Sequence, residues 1–119
     1  MQFNKQDIAD LDGITRLKII NSVTGIKPAN LIGTICNNGK TNVAVFSSVV
    51  HLGSNPPLLG FIARLQTKDV GHTFQNIGGN GQYTINHIHS EFSKQVHYIS
   101  AKFDRNISEF ECCGLRKNI

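Results

Sequence analysis

Residues 31–50 read LIGTICNNGKTNVAVFSSVV and predict a β-hairpin. Leu31–Cys36 is an apolar strand candidate, and the segment Asn42–Val50 is rich in β-branched residues. Between them stands Asn38-Gly39, a pair whose residues tolerate the positive φ angles that a tight hairpin turn requires. The stretch therefore predicts two antiparallel strands joined by a short turn.

Three further strands and a helix are predicted after this hairpin. The Gly53–Pro57 segment interrupts the chain, because neither of its prolines can donate to a strand ladder. A helix is predicted over Asp69–Ile77, with Asp69 as its N-cap and the glycine-rich run Gly78–Gly81 as its end. The predicted strands are Leu58–Ala63, which is apolar enough to be buried on both faces, Gln82–Asn86 and His97–Phe103.

The segment from Gln6 to about Ile20 places apolar residues at every third position, which predicts a short amphipathic helix. Short strands, tight turns and two brief helices together predict a mainly β fold, a small antiparallel barrel with helical covers. The length of 119 residues fits a single domain spanning residues 1–119. Five strands leave open edges that need cover, so we expect an oligomer.

Composition and charge restrict the partners. Twelve basic against eight acidic residues give a formal net charge of +4, and the basic residues are scattered singly, so we expect no nucleic-acid partner. Three cysteines without C-x-x-C spacing indicate a reducing compartment. The chain shows neither an apolar signal core nor an apolar run approaching ~20 residues. We therefore expect a cytoplasmic protein with no membrane partner.

Nucleophilic catalysis and metal binding are not favoured by the residue pattern. Ser47 and Ser48 lie inside a predicted strand without a G-x-S-x-G turn, and Cys36 sits among apolar residues. His87-Ile88-His89, with His97 nearby, would offer three imidazoles, but no motif places an acidic residue to complete a metal site. We therefore expect neither a hydrolase nor a metal centre.

Two polar clusters remain as candidate sites. Arg64 ends a predicted strand, and the helix after it contains His72 and Thr73. A helix N-terminus with a guanidinium nearby suits a phosphate group, although a plain strand-to-helix connection explains the same residues equally well. The polar pairs Thr41-Asn42 and Ser47-Ser48 interrupt a β-branched strand. They fit either a heteroaromatic ligand or a strand with one hydrated face, and the pattern does not decide between the two.

Several blocks occur in a fixed order along the chain: Thr34, GKTNVAVFSSV at 39–49, GSNPPLLGFI at 53–62, GHT at 71–73, YTIN at 83–86 and HYISAKF at 97–103. Together they closely resemble the flavin reductase-like, FMN-binding split-barrel family, which includes the flavoredoxins. The resemblance covers roughly residues 3–115. It implies a split β-barrel of Greek-key type, a homodimer, and FMN or FAD held near the dimer interface.

The resemblance also implies site residues. The strand with Thr41, Asn42, Ser47 and Ser48 would lie along the isoalloxazine ring and ribityl chain. The turn with Asn55 would shape the end of that pocket. Phosphate-binding elements of the family correspond to Arg64, His72 and Thr73, and a block near the nicotinamide or substrate side contains His97 and Ser100. No catalytic side chain is implied, which agrees with a reaction whose chemistry the cofactor supplies.

The expected activity follows from the same resemblance. It is NAD(P)H:flavin reductase-like hydride transfer to a bound flavin, with NAD(P)H as co-substrate. Family members normally continue well beyond the region of Ser108–Leu115, so we expect a C-terminally truncated domain and an incomplete barrel. The alternative is a vestigial flavin-binding module that has lost turnover through truncation.

Overall fold

The computed structural model describes residues 2–64, 71–101, 107 and 109–115. In these ranges the helices are α1 Lys5–Asp10, α2 Gly13–Val23, α3 His72–Asn80, α4 Ser93–Ile99 and α5 Glu109–Cys112, with a short 3₁₀ helix at Ser90–Phe92. The strands are β1 Asn30–Ile35, β2 Thr41–Phe46, β3 Val50–Ser54, β4 Pro57–Gly60 and β5 Thr84–His87. Among the described residues, no helix is both long and apolar enough to span a membrane.

The predicted hairpin is confirmed by β1 and β2, which pair antiparallel with Thr34 opposite Asn42. Gly39 adopts φ +79° in the turn, and the Cys36 N–H donates to the Lys40 carbonyl at 2.9 Å. β5 adds to the other side of β1, so the first sheet has the order β2-β1-β5. The local turn chemistry and the β-branched pattern therefore decide this part of the fold.

The first sheet lies between helices on both faces. Alternate residues of β1 are buried, and Thr34 on that face bonds to Asn76 of α3. On the opposite face Val43 forms a core with Ile99 of α4 and Cys113. Leu31, Val45, Phe110 and Leu115 pack against this core. α3 therefore packs on one face of the sheet and α4 on the other.

A second, two-stranded sheet consists of β3 and β4, joined by a turn with a cis Asn55–Pro56 peptide bond. The predicted strand after residue 57 is therefore present, but the prediction that it is buried on both faces is wrong. The exposed fractions of Leu58 and Leu59 are 49% and 55%, because the described residues place no layer over this hairpin.

Aromatic packing and one serine connect the two sheets. The Phe61 ring lies edge-on to Phe46, with centroids 4.9 Å apart, and to Tyr83 at 5.2 Å. The Ser48 hydroxyl accepts from the Ile62 N–H at 3.0 Å and lies 3.2 Å from the Ile62 carbonyl. These bonds take the place of a strand ladder, which explains why β2 ends at Phe46 although a strand was predicted as far as residue 50.

Two further predictions are corrected. α3 starts at His72 and runs through Gly78-Gly79 to Asn80, where Gly81 with φ +70° ends it; the predicted N-cap Asp69 lies outside the described residues. Residues 93–99, part of which was predicted as a strand, form helix α4. Val96 and Ile99 are both buried at helical spacing, so tertiary burial overrides the β-type composition of this segment.

The N-terminal segment forms two helices where one was predicted. Asn4 caps α1, and Asp12 caps α2 by accepting from the N–H groups of Ile14 and Thr15. Neither helix has a buried residue, and the apolar side chains Ile14, Leu17 and Ile20 are all exposed. The helical prediction is therefore confirmed, but the apolar stripe does not pack on the described part of the chain.

Candidate functional site

The position of α3 is set by three amide side chains. Asn76 donates to the Thr34 hydroxyl at 3.0 Å, and Asn80 donates to the Ile35 carbonyl at 2.7 Å. Both bonds join α3 to β1, and Asn42 of β2 lies 3.0 Å from the Thr73 hydroxyl at the start of the helix. The first turn of α3 is thereby held against the beginning of β2.

Asn42 and Thr73 were both predicted as site residues, and the structure brings them together. Only 8% of Asn42 and 7% of Thr73 is exposed. The side-chain amide of Asn42 has one orientation in which every polar neighbour is a hydrogen-bond partner. In that orientation its oxygen accepts from the Val43 N–H at 3.3 Å and from the Thr73 hydroxyl at 3.0 Å. Its amide nitrogen then donates to Oε1 of Glu109 at 3.2 Å. The opposite orientation sets donor against donor and acceptor against acceptor, so the hydrogen-bond partners define the amide.

The N-cap of α3 is a glycine, which has no side chain to cap the helix. Gly71 is the N-cap and supplies no side-chain hydrogen bond, so the N–H groups that open the helix have no capping partner from that residue. The positive end of the helix dipole lies at the same place, next to half-buried His72. Oγ1 of Thr41 is buried and has no hydrogen-bond partner among the described residues, but the alternation of side chains along β2 places it on the opposite face of the sheet from Asn42 and Thr73. The first turn of α3 therefore fits an anionic group.

Other predicted residues lie at the far end of β2. Ser48 is tied to Ile62, two residues before Arg64, and Ser47 is exposed. Asn42 and Phe46 are four positions apart in β2, or about 13 Å. Arg64 is exposed, and Asn55 is exposed in the turn between β3 and β4. The structure therefore places Ser47 and Ser48 at the opposite end of β2 from Asn42, and Asn55 at the tip of the separate β3–β4 hairpin.

His97 and Ser100 belong to a different surface. They lie at the end of α4, where the Ser100 hydroxyl donates to the His97 carbonyl at 2.6 Å. His97 also lines an open concavity of about 240 Å³ with Ser93, Lys94 and Tyr98. Because α4 packs on the Val43 face of the sheet, the structure does not bring these residues to Thr73.

The cysteines and histidines are placed as follows. Hydrogen bonding from the backbone of Asn38 lowers the pKa of the Cys36 thiol, and burial raises the pKa of the Cys113 thiol. His89 approaches Glu91 at 3.5 Å. In the ranges that the structure describes, no three potential metal ligands of the His, Cys, Asp and Glu types come together.

Sequence reasoning missed Glu109, Asn76 and the Phe46–Phe61–Tyr83 aromatic group. A signal for the first two existed in the hairpin. Thr34 and Asn42 face each other in its register, and two facing polar side chains in an apolar hairpin need partners from elsewhere in the chain. The identity of those partners depends on contacts that span 31 and 42 residues, which no local pattern specifies.

Comparisons with known proteins agree with this architecture. Residues 26–118 match the family described as flavin reductase like domain. A split-barrel protein of the flavin reductase type from Shewanella frigidimarina is 48% identical and superimposes with a TM-score of 0.86 over 96% of this chain and 56% of its own.

Two more distant structures share the fold. Nitrilotriacetate monooxygenase component B from Bacillus cereus has a TM-score of 0.81 at 17% identity, covering 96% of this chain and 55% of its own. Flavoredoxin of Desulfovibrio vulgaris has a TM-score of 0.65 at 22% identity, covering 74% of this chain and 46% of its own. The chain thus spans about half the length of these relatives.

The predicted resemblance and the predicted fold class are both confirmed. The described residues form short strands in two sheets with several short helices and do not close a barrel. The family match extends over most of the chain and includes the hairpin, α3 and the residues that join them. This chain belongs to the flavin reductase like domain family and has its split-barrel fold.

Proposed function

We propose that this chain binds a flavin nucleotide, FMN in the first instance and FAD as the alternative, and serves in hydride transfer from NAD(P)H to that flavin. The observation that carries the proposal is the family match over residues 26–118, which contains the first turn of α3, with Gly71 as its N-cap, held against β2. The 48% identity to the Shewanella protein supports a flavin-related role.

The described residues offer hydrogen-bond donors that fit the phosphate of a flavin nucleotide. Backbone N–H groups at the start of α3 would hold the phosphate, with His72 beside them and the exposed Arg64 as a further cation. Ser47 and Asn55 would border the ring end of the ligand, beyond the hydrogen bonds between the Ser48 hydroxyl and the Ile62 backbone, which we call the Ser48–Ile62 clamp.

When bound, the flavin accepts the hydride itself, so the protein has to supply orientation and electrostatics. We propose that His97 and Ser100 lie on the side where the nicotinamide nucleotide enters. The support is the concavity that His97 shares with Lys94 and Tyr98, since an ammonium group suits phosphate and a phenol ring suits stacking. We also propose a homodimer in a reducing, cytoplasmic setting, which the three free cysteines support.

A second candidate function is flavin binding without turnover. It is favoured by the open arrangement of the two sheets, since the exposed leucines of β4 leave the surface beyond the Ser48–Ile62 clamp uncovered in the described residues. An unshielded site would bind a flavin yet would exclude water poorly and would hold a nicotinamide weakly.

The test is a visible absorption spectrum of the purified chain, followed by titration with FMN, FAD and riboflavin. A yellow protein, or saturable binding of one FMN per chain with riboflavin weaker, is the expected result. NAD(P)H oxidation is then measured with bound flavin. Turnover supports the reductase, while tight binding without turnover supports the second candidate. If none of the three flavins binds, both functions are excluded.

A further inference from the structure

The starting observation is a chain of buried hydrogen bonds that runs from α5 to the first turn of α3. Glu109 accepts from the Asn42 amide nitrogen at 3.2 Å, and the Asn42 oxygen accepts from the Thr73 hydroxyl at 3.0 Å. All three residues are at most 8% exposed. Buried polar groups of this kind are held to one arrangement, because an unpaired donor or acceptor has no water to replace its partner.

Glu109 determines which groups donate and which accept along this series of hydrogen bonds. A carboxylate only accepts, so it takes the amide nitrogen of Asn42 and leaves the amide oxygen for Thr73. The Val43 N–H, at 3.3 Å from the same oxygen, enforces the same orientation. The hydroxyl of Thr73 has a single proton, and it donates that proton in the hydrogen bond to the Asn42 amide oxygen.

We propose that Glu109 is a positioning residue which, through Asn42, turns the Thr73 hydroxyl proton inward, so that the first turn of α3 offers backbone N–H groups and no Thr73 donor to an anionic ligand. The ligand half of this statement rests on the proposed flavin function. The orientation half concerns the chain alone and is tested without a ligand.

The consequence concerns selectivity for the phosphate. A phosphate at neutral pH is mainly a hydrogen-bond acceptor, so a hydroxyl whose proton is already used adds nothing to its binding. Without a carboxylate at position 109, only the longer 3.3 Å contact with the Val43 N–H opposes rotation of the Asn42 amide. A larger share of the Asn42 side chains then turns over and donates to Thr73, which would release the hydroxyl proton toward the ligand. Glu109 therefore lowers the preference for FMN over riboflavin, which lacks the phosphate.

The ligand-free experiment measures exchange of the Asn42 side-chain amide protons by NMR in the full chain. We expect slow exchange in the wild type, at least tenfold faster exchange in Glu109→Leu, and intermediate protection in Glu109→Gln, which keeps an acceptor. Glu111→Leu, at an exposed carboxylate in the same helix, is the matched control and should match the wild type. Equal exchange rates in the wild type and Glu109→Leu would overturn the orientation.

The ligand experiment compares dissociation constants for FMN and riboflavin. Thr73→Val should leave the ratio of the two constants within about twofold of the wild type. Glu109→Leu should raise the preference for FMN about fivefold, and the double variant Glu109→Leu/Thr73→Val should return it to the wild-type value. Glu109→Gln removes the charge but keeps an acceptor oxygen, so it measures the effect of the lost charge alone on the ratio of the two dissociation constants.

The outcomes separate this proposal from the proposed function. A tenfold loss of FMN preference in Thr73→Val would show that the hydroxyl donates to the phosphate, and it would overturn the proposal while supporting flavin binding. If the wild type binds neither flavin, the proposed function fails, and the amide exchange rates alone decide the role of Glu109.

Discussion

Single buried amides determine where α3 sits on the sheet. The hydrogen bond between Asn76 and Thr34 contributes about 1 kcal/mol net, but a buried hydroxyl left without its partner costs about 1–3 kcal/mol. Asn76→Ala should therefore lower the free energy of unfolding by about 1–3 kcal/mol, measured by urea denaturation. Asn21→Ala, at an exposed position of α2, is the control. An unchanged midpoint in Asn76→Ala would mean that water replaces the lost amide.

Arg64 provides a second test at the level of one side chain. It is exposed, so its attraction for a phosphate is screened by solvent. Arg64→Ala should weaken FMN binding roughly two- to fivefold and leave riboflavin binding unchanged, as read from fluorescence titrations. Arg16→Ala removes a cation that instead bonds to the Ala9 carbonyl and serves as the control. Equal losses for both ligands in Arg64→Ala would remove this residue from the phosphate site.

The close approach of β1 and β5 depends on a residue without a side chain. A Cβ added at Gly33 would lie 2.6 Å from Oγ1 of Thr84, its cross-strand partner. We expect Gly33→Ala to lower the free energy of unfolding by about 1–3 kcal/mol through overpacking. Adding Thr84→Ala removes the clashing atom and should restore most of the loss. If the double variant is as unstable as Gly33→Ala, the clash is not the cause.

Helix α2 depends on its cap, because none of its residues is buried. Hydrogen bonds from the side chain and backbone of Thr15 lower the pKa of Asp12 below its ordinary value of 3.8. A carboxyl with a lowered folded-state pKa stabilises the fold above its ordinary value, and this stabilisation is lost as the pH falls through the lowered pKa. The amide signals of Ile14 and Thr15 should therefore lose their helical shifts below about pH 3.8.

The control for this pH dependence is Asp12→Asn. An asparagine keeps the capping oxygen but has no carboxyl proton to bind. The same amide signals should then show no transition over this range. A transition that persists in the variant would assign the acid sensitivity of α2 to another group.

At the scale of the whole molecule, open sheet edges and exposed apolar side chains predict self-association. Leu52, Leu58 and Leu59 of the β3–β4 hairpin are each about half exposed or more. Light scattering should give twice the chain mass of 13.1 kDa. Leu59→Asp should shift the mass toward a monomer, and Lys18→Asp, at an exposed position of α2, should not. A wild-type monomer at high concentration would contradict the predicted homodimer.

Local physics made much of the fold predictable from the sequence. Asn38-Gly39 supplies the backbone freedom for the hairpin turn, the β-branched residues indicate its strands, and the apolar spacing of residues 6–20 predicts helix. The ordered sequence blocks also identified the family, which residues 26–118 confirm. The turn and strand signals each involve only a few neighbouring residues, and the family blocks are recognised by their order in the sequence. Both can therefore be identified without coordinates.

Contacts between distant residues decided the rest. Residues 93–99 became a helix because Val96 and Ile99 are buried on one side of it, and β4 remained exposed because nothing in the described chain covers it. Asn42 reached Thr73 across 31 residues of sequence. The contact of Asn42 with Glu109 likewise joins β2 to a helix at the other end of the described chain. Burial and hydrogen-bond satisfaction are properties of the packed molecule, so only the tertiary structure determines which polar side chains face each other and which remain free for a ligand.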